Sequence, residues 1–95
     1  MRYLVFLISF LAVALPIAPA AHAQTRCIVY DPTEDAVNVR ASPNGKIINR
    51  LRNGRVVQVN YYRNDTLGRP WAWVEGDYNG FWRSWGFIFL PLLVC

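Results

Sequence analysis

The fold of this chain is decided by its middle, which reads Val37-Asn38-Val39-Arg40-Ala41-Ser42-Pro43-Asn44-Gly45, then Lys46-Ile47-Ile48-Asn49-Arg50-Leu51, then Arg52-Asn53-Gly54-Arg55-Val56-Val57-Gln58-Val59. Apolar and polar residues alternate in the first segment, which predicts a strand with one buried face. Asn44-Gly45 and Asn53-Gly54 are dipeptides that tolerate the positive φ of tight turns. The stretch therefore predicts short strands joined by tight turns.

The same pattern continues outward in both directions. Further strands are expected at 27–30, 55–63, 71–75, 81–89 and 93–95, with loops at 64–70 and 76–80. Alternation places Val57, Val59 and Tyr61 on one face, and it predicts that Val57 and Val59 lie in the core and that Tyr62 is more exposed. Ile48 is the expected inward residue of its strand, and Gly86 marks a bulge or a close backbone approach. Short strands with few residues between them predict an all-β chain that forms a small barrel.

Several of these motifs resemble those of the bacterial SH3 family. Val37 to Pro43 is similar to its opening V/L-N-V-R-x-x-P pattern, and Leu51-Arg52-Asn53-Gly54 to its L-x-x-G hairpin. Trp71-Ala72-Trp73-Val74 and Gly86-Phe87-Ile88 are similar to its later tryptophan and G-W/F-V/I elements. The resemblance covers residues 36–89. It implies an SH3-like barrel of five to six short strands, with a helical turn at 90–92 before the last one.

The amino terminus predicts an export signal. Arg2 precedes a nearly unbroken apolar run at 3–17, and Ala21-His22-Ala23 has the small-x-small pattern that signal peptidase accepts. We therefore expect a cleaved signal peptide at 1–23 and one periplasmic or secreted barrel domain at 24–95. A retained anchor is the alternative, but the run is short for a span of about 20 apolar residues. No stable membrane insertion is expected after cleavage.

Two cysteines, Cys27 and Cys95, lie near the two ends of the expected mature chain. A domain of about 70 residues is near the lower limit for an independent core, and export favours disulfides. We expect an intramolecular bridge between them. Two free thiols, or a bridge between two molecules, are the alternatives.

The residues needed for catalysis are scarce. The only histidine, His22, belongs to the expected signal peptide, and the cysteines are expected to be paired. Serine or cysteine hydrolases and His-metal sites therefore lack a general base or ligands. Glu34 and Asp35 could form a carboxylate pair or join a calcium site, but adjacent acidic residues in a turn are usually solvated. We expect a protein that is not an enzyme and that uses no metal or cofactor.

The charge balance is modestly basic. Ten Lys and Arg residues against six Asp and Glu give a net charge of +4, which falls to +3 if Arg2 is removed. Such a charge favours anionic wall polymers or lipid headgroups, and it is also typical of ordinary exported domains. Basic and aromatic residues interleave, as they do in nucleic-acid binders, but export argues against a nucleic-acid partner.

Aromatic residues provide the candidate binding site. Residues 24–95 contain four tryptophans, four tyrosines and three phenylalanines, more than one small barrel core comfortably buries. Rings beside loops could form a groove that stacks on sugars or prolines, with arginines at its rim as donors to carboxylates. The alternative is that they pack on each other and cap the barrel. The candidate ligand-binding residues are Tyr62, Trp71, Tyr78, Trp82 and Arg83, with Arg69 also at the rim.

Two functions follow as expectations. The resemblance implies an exported binding module for cell-wall peptide or glycan, because related domains accompany wall hydrolases. In the alternative, the barrel is an interaction or structural subunit that docks an envelope protein through the apolar segment at 89–94.

Overall fold

The structure is a computed structural model that describes residues 24–95; the expected signal peptide at 1–23 lies outside the described residues. One antiparallel sheet curls into a half-barrel, in the strand order β3-β2-β6-β5-β4-β1-β7. The elements in chain order are β1 (Thr25–Val29), β2 (Ala36–Arg40), β3 (Ile47–Arg52), β4 (Val56–Asn64), β5 (Pro70–Tyr78), β6 (Phe81–Phe89), a 3₁₀ turn (Leu90–Leu92) and β7 (Leu93–Val94).

The predicted all-β, barrel-like fold is confirmed, with seven strands rather than five to six. The last of them, β7, lies where a strand was expected at 93–95; it has only two residues and pairs with β1 through Ile28–Val94 and Val29–Leu93. The 3₁₀ turn before it was expected. Within the described residues, no helix has the length and apolar character needed to cross a membrane.

The core is formed by the inward-facing residues of the curled sheet. Val57 and Val59 are buried, as their alternation predicts, and Tyr62 is 53% exposed. Ala72 and Val74 face the same interior from β5. The buried core cluster consists of Cys27, Val29, Val37, Val39, Leu51, Val57, Val59, Ala72, Val74, Trp85, Ile88 and Leu93.

Two β-bulges reverse the predicted direction of a side chain. Between β4 and β5, Val59 pairs with Val74 but Tyr61 pairs with Trp73, so Asn60 is the extra residue. An extra residue shifts the alternation by one, and Tyr61 therefore faces the outside of the half-barrel. Ile48 is the extra residue between β2 and β3 and is 51% exposed, while Leu51 is the buried residue of β3. For this reason the predicted inward orientation of Ile48 was wrong, and so was the placement of Tyr61 on the same face as Val57 and Val59.

Gly86 lies both beside a bulge and at a close approach of two strands, the two features that the sequence predicted as alternatives. The β5–β6 register shifts beside it, which leaves Trp85 as the extra residue of a bulge. Its φ is 133°, and a Cβ at this position would lie 2.7 Å from the carbonyl oxygen of Arg40. Glycine therefore lets β6 approach β2, where Arg40 pairs with Phe87.

The loop predicted at 76–80 is a tight hairpin instead. β5 continues to Tyr78, which pairs with Phe81, and only Asn79 and Gly80 form the turn. Both have positive φ, 53° and 85°, which matches the preferred two-residue hairpin turn of twisted strands. The longer strands carry Tyr78 and Phe81 to the tip of the β5–β6 hairpin.

The disulfide forms within the chain, as expected, and Cys27 and Cys95 are the paired residues. It joins β1 to the end of the chain across a sequence separation of 68 residues. Cys27 is itself part of the buried core.

Candidate functional site

The outside of the half-barrel carries an aromatic cluster of its own. The Tyr61 and Trp73 rings stack with centroids 5.8 Å apart, and Phe87 meets both rings edge-on, at 5.9 and 5.2 Å. The Arg63 guanidinium lies over Tyr61 and Phe87. Phe87 is thereby buried to 2% exposure although it faces away from the core. Much of the aromatic surplus is thus used in packing across β4, β5 and β6.

Next to this cluster, the loop between β4 and β5 fixes the Trp71 ring through Asp65. The Trp71 indole N–H and the Arg69 Nε–H each donate to Asp65 Oδ2 at 2.9 Å. The backbone N–H groups of Leu67 and Arg69 donate to the other carboxylate oxygen at 2.9 and 3.0 Å. These four bonds hold Trp71 against Phe89, at 5.2 Å, and Arg69 over the Phe89 ring.

The hydrogen bonds determine the ionisation of Asp65. Its side chain is 1% exposed, and desolvation by burial raises the pKa. The donors of Arg69, Trp71 and Leu67 outweigh that effect and lower the pKa to about 2. Asp65 is therefore an anion at any neutral pH, and the geometry of Trp71 and Arg69 depends on its charge.

A groove of about 530 Å³ opens beside Trp71, and we call it the Trp71 groove. Trp71, Phe89 and Leu92 supply its apolar wall. Its charged lining residues are Arg40, Arg50 and Arg69 and, in the loop between β1 and β2, Asp31 and Glu34. The groove thus presents an aromatic surface together with charges of both signs.

The acidic side of the groove is held in place by Asn53. Its side-chain amide donates to the backbone oxygens of Asp31 and Glu34 at 2.8 and 2.7 Å, and its oxygen accepts from the Asp31 N–H at 2.8 Å. The carboxylate of Asp31 accepts from the backbone and the hydroxyl of Thr33, which lowers the pKa of Asp31. The turn residue Asn53 therefore positions a loop 22 residues away from it in sequence.

The five predicted ligand residues do not form one site. Trp71 lines the groove above, whereas Tyr78 and Arg83 line a second groove at the other end of β5 and β6. Trp82 lines a third, shallow groove, and Tyr62 lies on none of the three. Arg69, which was expected at the rim, does line the groove with Trp71. The physical reason for the separation is that the nine-residue strands β5 and β6 place Trp71 and Trp82 far apart along the hairpin.

Trp82 has a structural contact that its sequence position did not reveal. Its indole N–H donates to Glu75 Oε1 at 2.9 Å, while the Trp73 indole and the Asn60 amide donate to Oε2 at 2.9 and 3.1 Å. The bond from Trp82 lowers the pKa of Glu75 most, burial opposes it, and the bonds from Trp73, Asn60 and Gln24 lower it further. We call this arrangement the Glu75 clamp. The ring of Trp82 is 55% exposed, but its polar edge is occupied.

Four residues of the Trp71 groove were not identified from the sequence: Arg40, Phe89, Asp31 and Glu34. One signal was available for Arg40, because alternation with Val37 and Val39 placed it on the outer face of its strand. Its closeness to Trp71, with the guanidinium 5.8 Å from the ring centroid, depends on the β2–β6 pairing. That pairing joins residues far apart in sequence.

Comparisons with known proteins give no relative: no family model, no curated protein and no solved structure matches this chain.

Proposed function

We propose that this chain is an exported, non-catalytic binding module of the bacterial SH3 type, and that the Trp71 groove binds peptide of the bacterial cell wall. The observation that carries the proposal is the fixed aromatic pair of Trp71 and Phe89 beside charged groups of both signs. The resemblance of residues 36–89 to the family and the all-β half-barrel are consistent with this class.

The chemistry of the groove matches that ligand. Wall stem peptides carry free carboxylates and, at other positions, amino groups. Arginine forks such as that of Arg40 recognise carboxylates, and Asp31 and Glu34 would attract the amino groups. Trp71 is only 5% exposed, so it is the half-buried Phe89 ring beside it that offers an apolar surface for aliphatic side chains or sugar rings. Recognition of both charges would orient a peptide along the groove.

Export is part of the proposal and has two supports. The first is the signal-peptide pattern at 1–23. The second is the Cys27–Cys95 disulfide, because such bonds form and persist mainly outside the reducing cytoplasm.

The alternative proposal, docking to an envelope protein through residues 89–94, has a smaller surface than the sequence suggested. Leu93 is buried, and Leu90 and Leu92 pack against the core. The exposed apolar residues that remain there are Val94 and its β1 partner Ile28, at 58% and 43% exposure. This small patch favours the wall ligand as the leading proposal.

The first test is co-sedimentation of oxidised protein 24–95 with purified peptidoglycan sacculi at low and moderate salt. The proposal predicts retention that persists at moderate salt, since apolar contact with the wall formed by Trp71, Phe89 and Leu92 is not screened. Arg40→Gln should weaken retention about tenfold, the effect of losing one charge-assisted hydrogen bond. Arg26→Gln removes the same charge from β1, outside the groove, and should leave retention unchanged.

The remaining outcomes of this test would argue against specific binding of wall peptide in the groove. Retention that disappears at moderate salt, or that falls equally in both arginine variants, would show charge attraction alone and contradict a specific groove. Absence of retention at either salt would favour a protein partner.

A further inference from the structure

A second groove, which shares only Arg50 with the Trp71 groove, concentrates positive charge. It has a volume of about 550 Å³ and lies between β3 and the β5–β6 hairpin. Four arginines line it, and no aspartate or glutamate does. We call it the arginine groove; its main residues are Arg50, Arg52, Arg55, Arg83, Tyr78 and Trp85.

Aromatic rings hold two of these arginines. The Arg55 guanidinium carbon lies 5.4 Å from the centroid of the Tyr78 ring and 5.3 Å from that of Trp85. Arg83 lies 5.8 Å from the Tyr78 centroid. A guanidinium stacked on a ring keeps the N–H groups at its edge free to donate. Tyr78 thus positions the guanidinium groups of Arg55 and Arg83 beside the same groove.

Three of the four arginines have no anionic partner in the described part of the chain; the fourth, Arg50, lies 4.0 Å from the Glu34 carboxylate. Among residues 24–95, Arg52, Arg55 and Arg83 form neither a salt bridge nor a side-chain hydrogen bond. The arginines of the Trp71 groove differ, since Arg69 is bonded to Asp65 and Arg40 donates to the Gly45 carbonyl. Like charges gathered without a counter-charge repel each other, and a bound anion would remove that repulsion.

We propose that the arginine groove is a binding site for phosphate groups. Phosphate carries the charge and the planar pairs of oxygens that guanidinium forks bind in a bidentate manner. Ser84 and Asn49 line the same groove and supply neutral donors. The phosphate could belong to a soluble phosphorylated ligand or to a lipid headgroup. The second source is compatible with Phe81, which is 68% exposed and pairs with Tyr78 at the hairpin tip.

The test uses two probes that separate these sources. Oxidised protein 24–95, labelled with ¹⁵N, is titrated with inorganic tripolyphosphate, and backbone and arginine Nε–H signals are followed by NMR. In parallel, binding to vesicles of phosphatidylglycerol is measured against vesicles of phosphatidylcholine. We expect shifts centred on Arg55, Arg83 and Tyr78 with tripolyphosphate. Preferential binding to the phosphatidylglycerol vesicles would show that the groove also accepts the phosphate of a lipid headgroup.

Matched variants separate a built site from general charge. Arg55→Gln should weaken binding of the probe about tenfold. Arg63→Gln is the control, because Arg63 is also stacked on two rings but lies in the outer aromatic cluster. Arg50 lines both grooves and is left unchanged, so the result is independent of the Trp71 groove.

The proposal would be overturned by two results. One is that neither probe shifts the signals of the arginine groove. The other is that Arg55→Gln and Arg63→Gln weaken binding equally, which would mean that only net charge matters.

Discussion

At the scale of single residues, two positions hold the outer face of the half-barrel together. Gly86 permits the contact between β6 and β2, because a Cβ there would also lie 2.9 Å from a side-chain carbon of Val39. Asp65 holds Trp71 and Arg69 in place beside the groove. Neither residue is itself a proposed ligand contact, but each positions residues that line the groove.

Replacement of Gly86 tests the close approach of the two strands. Gly86→Ala combines a left-handed φ with backbone and side-chain overlap, and should lower the free energy of unfolding by about 2 to 5 kcal/mol. Gly80→Ala is the control, since φ is also positive there but no atom lies within 4 Å. It should cost only about 1 to 2 kcal/mol. Equal losses in urea denaturation would show that the approach to β2 is unimportant.

Asp65 gives the fold a dependence on acid pH. Its pKa is about 2 in the folded chain, below the ordinary value of 3.8. The charged form is therefore favoured by folding, and this stabilisation is complete above pH 4 and is lost as the pH falls from about 4 to 2. Asp31 and Glu75 also have lowered pKa values and contribute in the same direction.

Asp65→Asn isolates that contribution. The variant should be less stable than the native protein at pH 7, and the difference between the two should shrink as the pH falls through the window from 4 to 2. Thermal unfolding at several pH values measures it. A difference in stability that stays constant between pH 7 and pH 2 would show that the carboxylate charge has no role.

At the scale of elements, the Glu75 clamp joins the three central strands of the sheet. It links Asn60 in β4 and Trp73 in β5 to Trp82 in β6. The two indole N–H groups donate to different oxygens of the Glu75 carboxylate. An amide in place of the carboxylate would therefore put its NH₂ group, which is a donor, opposite one of these N–H donors. The clamp makes Trp82 a structural residue of the hairpin as well as an exposed ring.

Glu75→Gln tests the clamp. One indole N–H should lose its acceptor, and the free energy of unfolding should fall by about 1 to 3 kcal/mol. Glu34→Gln is the matched control, because Glu34 is exposed and its contact with Arg50 spans 4.0 Å. A loss in Glu75→Gln no larger than in Glu34→Gln would contradict the role of the clamp.

The elements also show how far the sequence predicts this fold. Alternation correctly placed Val57 and Val59 in the core, because the strand is regular over that range. It failed for Tyr61 and Ile48, since one inserted residue reverses every later side chain. A bulge depends on the partner strand, and a strand's own alternation does not contain that information.

At the scale of the whole molecule, the disulfide fixes the end of the chain to β1. A domain of about 70 residues, such as the one described at 24–95, buries little core, so a covalent link contributes a large share of its stability. Cys27 lies in the core, next in the sheet to the shortest strand, β7. The pairing could be foreseen from the positions of the two cysteines.

Reduction should therefore weaken the fold substantially. The chain-entropy model gives about 4 kcal/mol for a loop of this length, so the reduced protein should unfold at clearly lower urea concentration. Cys95→Ala should behave as the reduced protein does, and reducing agent should not affect it further. An unchanged unfolding midpoint after complete reduction would contradict this.

The candidate site was less predictable than the fold. Trp71 and Arg69 were identifiable because both adjoin a loop rich in turn residues. Arg40 and Phe89 join them only through pairings between strands distant in sequence. Tyr78, Trp82 and Arg83 were assigned to the same groove because β5 was expected to end at residue 75, whereas it runs for nine residues to Tyr78.

The central claim is that the Trp71 groove binds wall peptide, and one NMR titration tests it most directly. Soluble stem peptides released from peptidoglycan are added to the labelled protein, and the four tryptophan indole N–H signals are followed. We predict saturable shifts of the Trp71 indole and the Arg69 Nε–H, with the Trp82 indole unchanged as an internal control. Absence of shifts at Trp71 and Arg69, or shifts confined to the arginine groove, would contradict the claim.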